Sequence, residues 1–379
     1  MSQEFLYHSF CPYRVCPLGA HVDHQHGLVT GFAIDKGVTF NFSPTEDGSI
    51  DVMSVNYSGL AKGLLSEIPE RSFTWADFVF GAAVTLRKSY ELKRGLSGVV
   101  SGSLPVGGLS SSAAVILTYL MAFAKVNDIH LTAPELIKLA IDEERNYIGV
   151  NVGKLDQSCE VYCRKDNLLF LDTLDDSSRL LSLPSEMPPF EIAIIFSGME
   201  RKLAGSAYNM RVDECKAASY ALKGFAHLEY GKFNETFLRD VPQGVYVQYK
   251  DKLPENWQKR AEHYYGENER VKRGVECWKK GDLVGFGAQI FASGESSIKK
   301  YETGSPELQT LFEIMRDTDG IYGGRFSGAG FNGSSMAIVN PEKKDEIAKH
   351  ITAEYLKYFP NLKDSFGICF CGTADGIQL

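Results

Sequence analysis

An arginine, three histidines and an aspartate fall close together in Y-R-V-C-P-L-G-A-H-V-D-H-Q-H-G, residues 13–27. Turn-forming residues interrupt them, which suits a ligand site better than a core strand. Arg14 offers a fixed positive charge. His21 and Asp23 offer hydrogen-bonding groups to a polar ligand. Ala20 stands out, because it puts a methyl group directly before His21 in a segment that otherwise reads as polar. The spacing H-x-D-H-x-H over residues 21–26 also permits a metal site, yet no second ligand cluster of recognisable spacing accompanies it.

A second stretch, L-P-V-G-G-L-S-S-S-A-A-V at residues 104–115, places two glycines and three serines ahead of an apolar helix pattern. A helix start carries free N–H groups and partial positive charge, so it stabilises an anion such as phosphate. Gly107 and Gly108 would let the backbone approach phosphate oxygens closely. Leu109 and Ser110 continue the loop, and Ser111 and Ser112 add hydroxyls for phosphate or magnesium. No G-K-[ST] follows, so this is not a Walker loop. A serine-rich cap on a buried helix reads the same stretch equally well.

Two carboxylates complete the set. Thr132 and Glu135 form a capping box, and the helix they open places Ile137, Ala140, Ile141, Glu144 and Ile148 on one face. A carboxylate on that apolar face costs several kcal/mol unless a cation meets it. Magnesium between Glu144 and Ser112 would satisfy it, as would a salt bridge to a lysine or arginine. Asp156 follows the glycine-rich turn G-V-N-V-G-K-L at an apparent helix start, where it stays ionised and can accept a proton. Paired with Arg14, it has the makings of a phosphoryl-transfer site.

The elements around these stretches mix strands and helices. Strand-like runs (V-T-F-N-F, S-I-D-V-M-S-V) precede the serine loop, and the proline-rich S-L-P-S-E-M-P-P-F at 182–190 predicts a boundary between residues 1–185 and 186–379. Beyond it come the strand F-E-I-A-I-I-F, long amphipathic helices including one near 258–280, a glycine-rich hairpin at 323–339 and the strand G-I-C-F-C. The pattern predicts a two-domain α+β protein.

Composition narrows the partners. The 379 residues carry a net charge of −8 with no basic run, which argues against nucleic acid or an acidic membrane surface. The apolar run of residues 113–124 is too short to span a bilayer. M-S-Q-E-F-L-Y-H has no signal-peptide character, so a cytoplasmic location is expected. Eight cysteines without a C-x-x-C pair predict reduced, mostly buried thiols.

Taken together and in this order, the stretches resemble the GHMP kinases, closest to the galactokinase branch, over nearly the whole chain. Residues 13–27 resemble the signature G-R-x-N-[LI]-I-G-E-H-x-D-Y-x-x-G, and L-P-V-G-G-L-S-S-S-A-A resembles the phosphate loop P-x-G-x-G-L-S-S-S-A. E-R-N-Y-I-G-V-N-V-G-K-L-D-Q is similar to the family stretch with the magnesium glutamate and catalytic aspartate. L-A-G-S-A-Y-N-M-R-V-D-E-C resembles the segment with a sugar-contacting tyrosine, and R-F-S-G-A-G-F-N-G-S-S the third family motif. The resemblance implies a two-domain GHMP kinase fold with the site between the domains, and ATP-dependent phosphorylation of the anomeric hydroxyl of a galactose-type sugar. It implies Arg14 and Asp156 as catalytic groups, His21, Asp23 and Tyr208 as sugar contacts, residues 107–112 as the phosphate cradle, and Ser112 with Glu144 as magnesium ligands.

The departures from the family pattern are Tyr13, His24, Lys154, a phosphate loop one residue short, and Ala20. The family has a glutamate where Ala20 stands, and that glutamate accepts a hydrogen bond from the C6 hydroxyl of the sugar. A carboxylate at C6 would be repelled by it, by roughly 4 kcal/mol for two charges about 4 Å apart at an effective dielectric near 20. Alanine removes the repulsion. The stretch P-Y-R-V-C-P-L-G-A-H-V-D-H-Q, with R-A-E-H-Y and R-F-S-G-A-G-F, also resembles the plant galacturonokinases, which makes galacturonate the expected sugar and ATP and magnesium the expected cofactors. Arg201 or Lys202, just before the tyrosine segment, is the expected partner of the C6 carboxylate. Galactose phosphorylation is the alternative. A non-catalytic sugar sensor is the other, favoured by the shortened loop and opposed by the presence of Arg14 and Asp156.

Overall fold

The structure, a computed structural model, describes residues 4–104, 109–150, 152–199, 205–328, 330 and 333–377. The first half contributes strands β1 (Tyr7–Val15), β2 (Leu28–Thr45), β3 (Ser49–Ser54), β4 (Leu60–Leu64), β5 (Gly95–Gly102), β6 (Asn167–Asp172) and β7 (Ser178–Ser182). They form one sheet in the order β4-β3-β5-β2-β6-β7, with β1 also on β2. The 18-residue β2 is its spine, pairing with β1, β5 and β6 along successive parts of its length. Its β-branched and aromatic residues suit a pleated surface. Val38, Phe40 and Phe42 alternate inward, and Phe40 meets Tyr119 edge-on at 5.2 Å.

The helices of this half are α1 (Ala76–Arg87), α2 (Ser111–Val126), α3 (Ala133–Asp142) and α4 (Leu155–Tyr162). The apolar run of residues 113–124 is the buried core of α2, with Leu117, Leu120 and Phe123 fully enclosed. Burying each such side chain stabilises by about 1.5–3 kcal/mol. The capping box opens α3 as the sequence predicts: the Thr132 N–H and hydroxyl both donate to Glu135 Oε2, at 2.9 and 2.6 Å. The α-helix then stops at Asp142, and a π-helical turn over Glu143–Ile148 carries Glu144 inward. Such turns are frequent at functional sites.

The second half adds α5 (Gly205–Phe225), α6 (Gln243–Tyr249), α7 (Glu255–Lys279), α8 (Leu283–Ser296), α9 (Pro306–Arg316) and α10 (Lys344–Tyr358). Its antiparallel sheet has the order β11-β8-β10-β9, from β8 (Glu191–Phe196), β9 (Ile321–Phe326), β10 (Ser334–Val339) and β11 (Gly367–Cys371). The proline-rich segment lies between the end of β7 and the start of β8. The chain then returns: β12 (Thr373–Ala374) pairs with β2 of the first sheet. Trp278 of α7 packs on Phe32 of β2 at 5.4 Å and on Phe286 of α8 at 5.5 Å, so one apolar core joins the halves.

Three features refine the sequence reading. Tyr13 and Arg14 are not in a turn; they end the buried part of β1, where a bulge between Pro12 and Arg14 shifts the register against β2. Bulges re-aim side chains, and this one precedes the arginine. All eight cysteines are free thiols, five of them buried. No helix among the described residues is long and apolar enough to cross a membrane.

Candidate active site

Two elements converge on the carboxylate of Asp156, in the first turn of α4. From β1, Arg14 donates to Oδ1 through Nε at 2.8 Å and Nη2 at 2.5 Å. From the start of α2, Ser110 donates its hydroxyl to Oδ2. Ser110 has φ 58°, a left-handed conformation uncommon for serine, and strain of this kind clusters at functional sites. Arg14 is only 4% exposed. Burial opposes its charge, and the charge and hydrogen bonds of Asp156 more than offset that, so the guanidinium stays protonated. One turn on, Glu160 is fully enclosed, and burial followed by the charge of Asp156 pushes its carboxyl well above the usual range.

Beside this pair, Glu144 takes the Ser112 hydroxyl on Oε1 at 2.8 Å and the Gln157 amide on Oε2 at 2.7 Å. Leu109 is buried, and its carbonyl accepts from the Arg14 N–H at 3.5 Å. Residues 109–112, β1, the π-helical turn and α4 therefore meet at one end of α2. Gly107 and Gly108 lie outside the described residues, as do Arg201 and Lys202.

The loop between β1 and β2 forms the other wall. Gly19 (φ 98°) and His21 (φ 57°) turn the chain sharply around Ala20. A side chain at Gly19 would meet the Val29 Cα at 2.5 Å as well as adopt a strained φ, so only glycine fits. Asp23 follows in a short 3-10 turn and is partly buried. Burial first, then the charge of Asp156, raises its pKa to about 6, against the opposing backbone N–H groups of Leu155 and His24 and the charge of Arg14. Gly153 makes room for it: a Cβ there would lie 1.8 Å from Asp23 Oδ2. Tyr208 of α5 stands edge-on to His24 at 6.0 Å, and its phenol is pushed well up by burial and then by Asp23 and Asp156.

The three histidines point to different partners. His21 stacks on Tyr301 at 4.5 Å and bonds the Gly328 carbonyl at 3.1 Å. His24 bonds the Tyr301 hydroxyl at 2.9 Å, and His26 lies against Phe237. Among the described residues no group of three or more His, Cys, Asp or Glu could hold an ion. Burial drives the pKa of His21 well down, and the next contribution is the positive charge of Arg325.

The structure thus brings Arg14, Ala20, His21, Asp23, Leu109, Ser110, Ser111, Ser112, Glu144, Asp156 and Tyr208 to one region. Gln157, Gly153, Tyr301, Arg325, His263 and Glu267 belong there as well and carry no motif by themselves. For His263 and Glu267 a signal existed: two polar residues one turn apart on a face of α7 that also buries Tyr264 and Val271.

Comparison with known proteins gives the family of the chain. Residues 77–164 match the model described as GHMP kinases N terminal domain, and 275–357 the one described as GHMP kinases C terminal. A galacturonokinase of Arabidopsis thaliana is 36% identical, with 97% of this chain and 92% of that one covered. A galactokinase of Roseiflexus sp. (strain RS-1) is 30% identical over 97% and 91%. The crystal structure of Lactococcus lactis galactokinase complexed with galactose superimposes with a TM-score of 0.89 at 26% identity, covering 98% and 94% of the two chains. With both family models matched and relatives covered over nearly their full length, the chain belongs to the GHMP kinase family and is an ATP-dependent sugar kinase.

Proposed function

We propose that the chain transfers the γ-phosphoryl group of ATP to the anomeric hydroxyl of D-galacturonate, giving galacturonate 1-phosphate. In this reading Asp156 accepts the proton of the C1 hydroxyl as its oxygen bonds to the γ-phosphorus and ADP departs. Oδ1 accepts two Arg14 nitrogens and Oδ2 accepts the Ser110 hydroxyl alone, so Oδ2 is the oxygen with a lone pair for the substrate. Arg14 holds the carboxylate in place and supplies positive charge as negative charge spreads over the transferring group. His21, Asp23 and Tyr208 contact the sugar. The start of α2, with Leu109, Ser110, Ser111 and Ser112, faces the phosphates.

Magnesium fits the oxygen donors present. Ser112 and Glu144 are hard ligands within 2.8 Å of each other, too few to form a cage alone, as suits an ion shared with phosphate oxygens. They would hold it, and when bound it neutralises phosphate charge.

The observation that carries the choice of sugar is Ala20, a buried methyl where the related galactokinase signature has a carboxylate. The local field points the same way. Arg325 is 2% exposed, donates from Nη1 to the Cys16 carbonyl at 3.4 Å, and its Nε has no hydrogen-bond partner among the described residues. Arg325 acts on His21 and on Glu267, which is also paired with Arg270 at 2.7 Å, so a positive charge stands close to the loop. An anionic C6 group is attracted by that charge more than a neutral hydroxymethyl is. A coupled ADP-release assay across galactose, galacturonate, glucuronate and arabinose tests the reading. We expect the highest kcat/KM for galacturonate. A value for galactose equal to or above it would make the enzyme a galactokinase, the reading that the galactokinase relatives favour.

A further inference from the structure

The Ala20 peptide is gripped on both sides by one helix far away in sequence. Glu267 Oε1 accepts from the N–H of Gly19 at 2.9 Å and of Ala20 at 3.2 Å, and from the Ser293 hydroxyl at 2.6 Å. His263, one turn earlier on α7, meets the Ala20 carbonyl through Nε2 at 2.8 Å, and its Nδ1 lies 2.9 Å from the Ser296 hydroxyl. A carbonyl only accepts, so Nε2 carries the proton and Nδ1 accepts from Ser296. Asn268 adds a third grip, accepting the Leu28 N–H at 2.8 Å.

This arrangement is costly as stability alone. Glu267 and His263 are fully buried, and replacing buried charged groups with apolar ones of similar volume is often neutral or stabilising. Burial would raise the Glu267 carboxyl; Arg270, His263, Arg325 and Ser293 bring it down to about 2, so it is a carboxylate at neutral pH. Burial lowers His263 to about 4, so it is a neutral donor. Both serve a loop in which Gly19 and His21 have positive φ, a conformation that persists only where the surroundings hold it.

We propose that His263 and Glu267 are positioning residues for sugar recognition, fixing from the second half of the chain the place of the Ala20 methyl and the direction of His21. The proposal rests on the reading above that residues 20–23 face the sugar. Neither side chain needs to touch the substrate. Their effect passes through the Ala20 peptide to the C6 end of the site and through the His21–Tyr301 stack, which joins the same loop to the π-helical turn at Ser297–Tyr301.

The test compares His263→Phe, His263→Gln and Glu267→Asp with the wild type for sugar KM, ATP KM, kcat and melting temperature. Phenylalanine keeps the ring and removes the donor, glutamine restores a donor, and aspartate keeps the charge and withdraws it from the two amides. We expect His263→Phe and Glu267→Asp to raise the sugar KM about tenfold or more with little change in ATP KM, and His263→Gln to recover most of the loss. The galacturonate-to-galactose ratio of kcat/KM should move towards unity by about threefold or more in the two impaired variants. A purely structural role would lower melting temperature and active fraction and leave the sugar KM alone; that result overturns the proposal. If His263→Phe does not fold, Glu267→Asp carries the same expectation, and an unchanged sugar KM there overturns it too. A wild type that prefers galactose would sink the substrate assignment only, because the expected rise in sugar KM holds for either sugar.

Discussion

Arg14 reaches Asp156 through two nitrogens that converge on a single oxygen, Nε at 2.8 Å and Nη2 at 2.5 Å from Oδ1. The second oxygen is taken by Ser110, at the start of α2. The aspartate is therefore held in orientation by Arg14 and by the serine loop, the groups to which the proposed mechanism gives the phosphoryl charge and the phosphates. Asp156→Asn keeps the shape and removes proton acceptance and charge. Nucleotide affinity should stay near wild type while kcat falls by about 10²–10⁴. Arg14→Ala should lower kcat more than it raises KM for either substrate. Near-normal turnover in both variants would assign the chemistry to another pair.

If Asp23 contacts the sugar as proposed, the enzyme should have an acid limb. Its pKa is raised from 3.8 to about 6, so the folded protein binds this proton more tightly than the unfolded chain does. From this group alone, stability rises as pH falls from about 6 to about 4, because protonation relieves a partly buried charge. Recognition moves the other way. A protonated Asp23 loses an acceptor for sugar hydroxyls, so kcat/KM for the sugar should drop about tenfold per pH unit below about 6. Asp23→Asn should flatten this limb in its residual activity; a limb of the same midpoint in that variant would trace to a different group.

Gly153 is required for space. With a Cβ only 1.8 Å from Asp23 Oδ2, Gly153→Ala must push the carboxylate aside. The expected result is a sugar KM raised about tenfold or more, with ATP affinity kept. The sharper check is a double-mutant cycle. Adding Gly153→Ala to Asp23→Ala should cost little more than Asp23→Ala alone, whereas additive losses would show that the glycine acts elsewhere.

What was legible in the sequence depended on whether the signal was local. The inward face of Glu144 follows from helical spacing with Ile137 and Ala140, and the Thr132–Glu135 cap from a three-residue pattern. The π-helical turn that delivers Glu144 leaves no such trace, because it is imposed by packing after α3 ends. Residues 13–27 read as a ligand site rather than a core strand because turn formers interrupt them, yet pairing with β2 draws Tyr13 and Arg14 into β1. The contacts that tune the site are the distant ones: Ser110 and Asp156 lie 46 residues apart, and Ala20 and Glu267 lie 247 apart. No periodicity reports a pairing of that range.

Substitution at Ala20 tests charge selection most directly. Its N–H and carbonyl are already committed to Glu267 and His263, so Ala20→Glu changes the side chain without freeing the loop. The new carboxylate would join a neighbourhood holding Glu267 and the partly unpartnered Arg325, and attraction to the guanidinium offsets repulsion from the glutamate. The variant should therefore fold. It would accept a hydrogen bond from a C6 hydroxyl, worth about 1.5–3 kcal/mol for a charged acceptor. It would also repel a C6 carboxylate by up to about 4 kcal/mol at 4 Å and an effective dielectric of 20, and occupy the positive charge that otherwise favours the anion. The two effects act in the same direction on selectivity. The ratio of kcat/KM for galacturonate over galactose should fall by well over about tenfold, measured side by side in the coupled assay. If Ala20 only fills space and the C6 group is held elsewhere, Ala20→Glu will weaken both sugars alike or neither, and an unchanged ratio would remove Ala20 from the account of specificity.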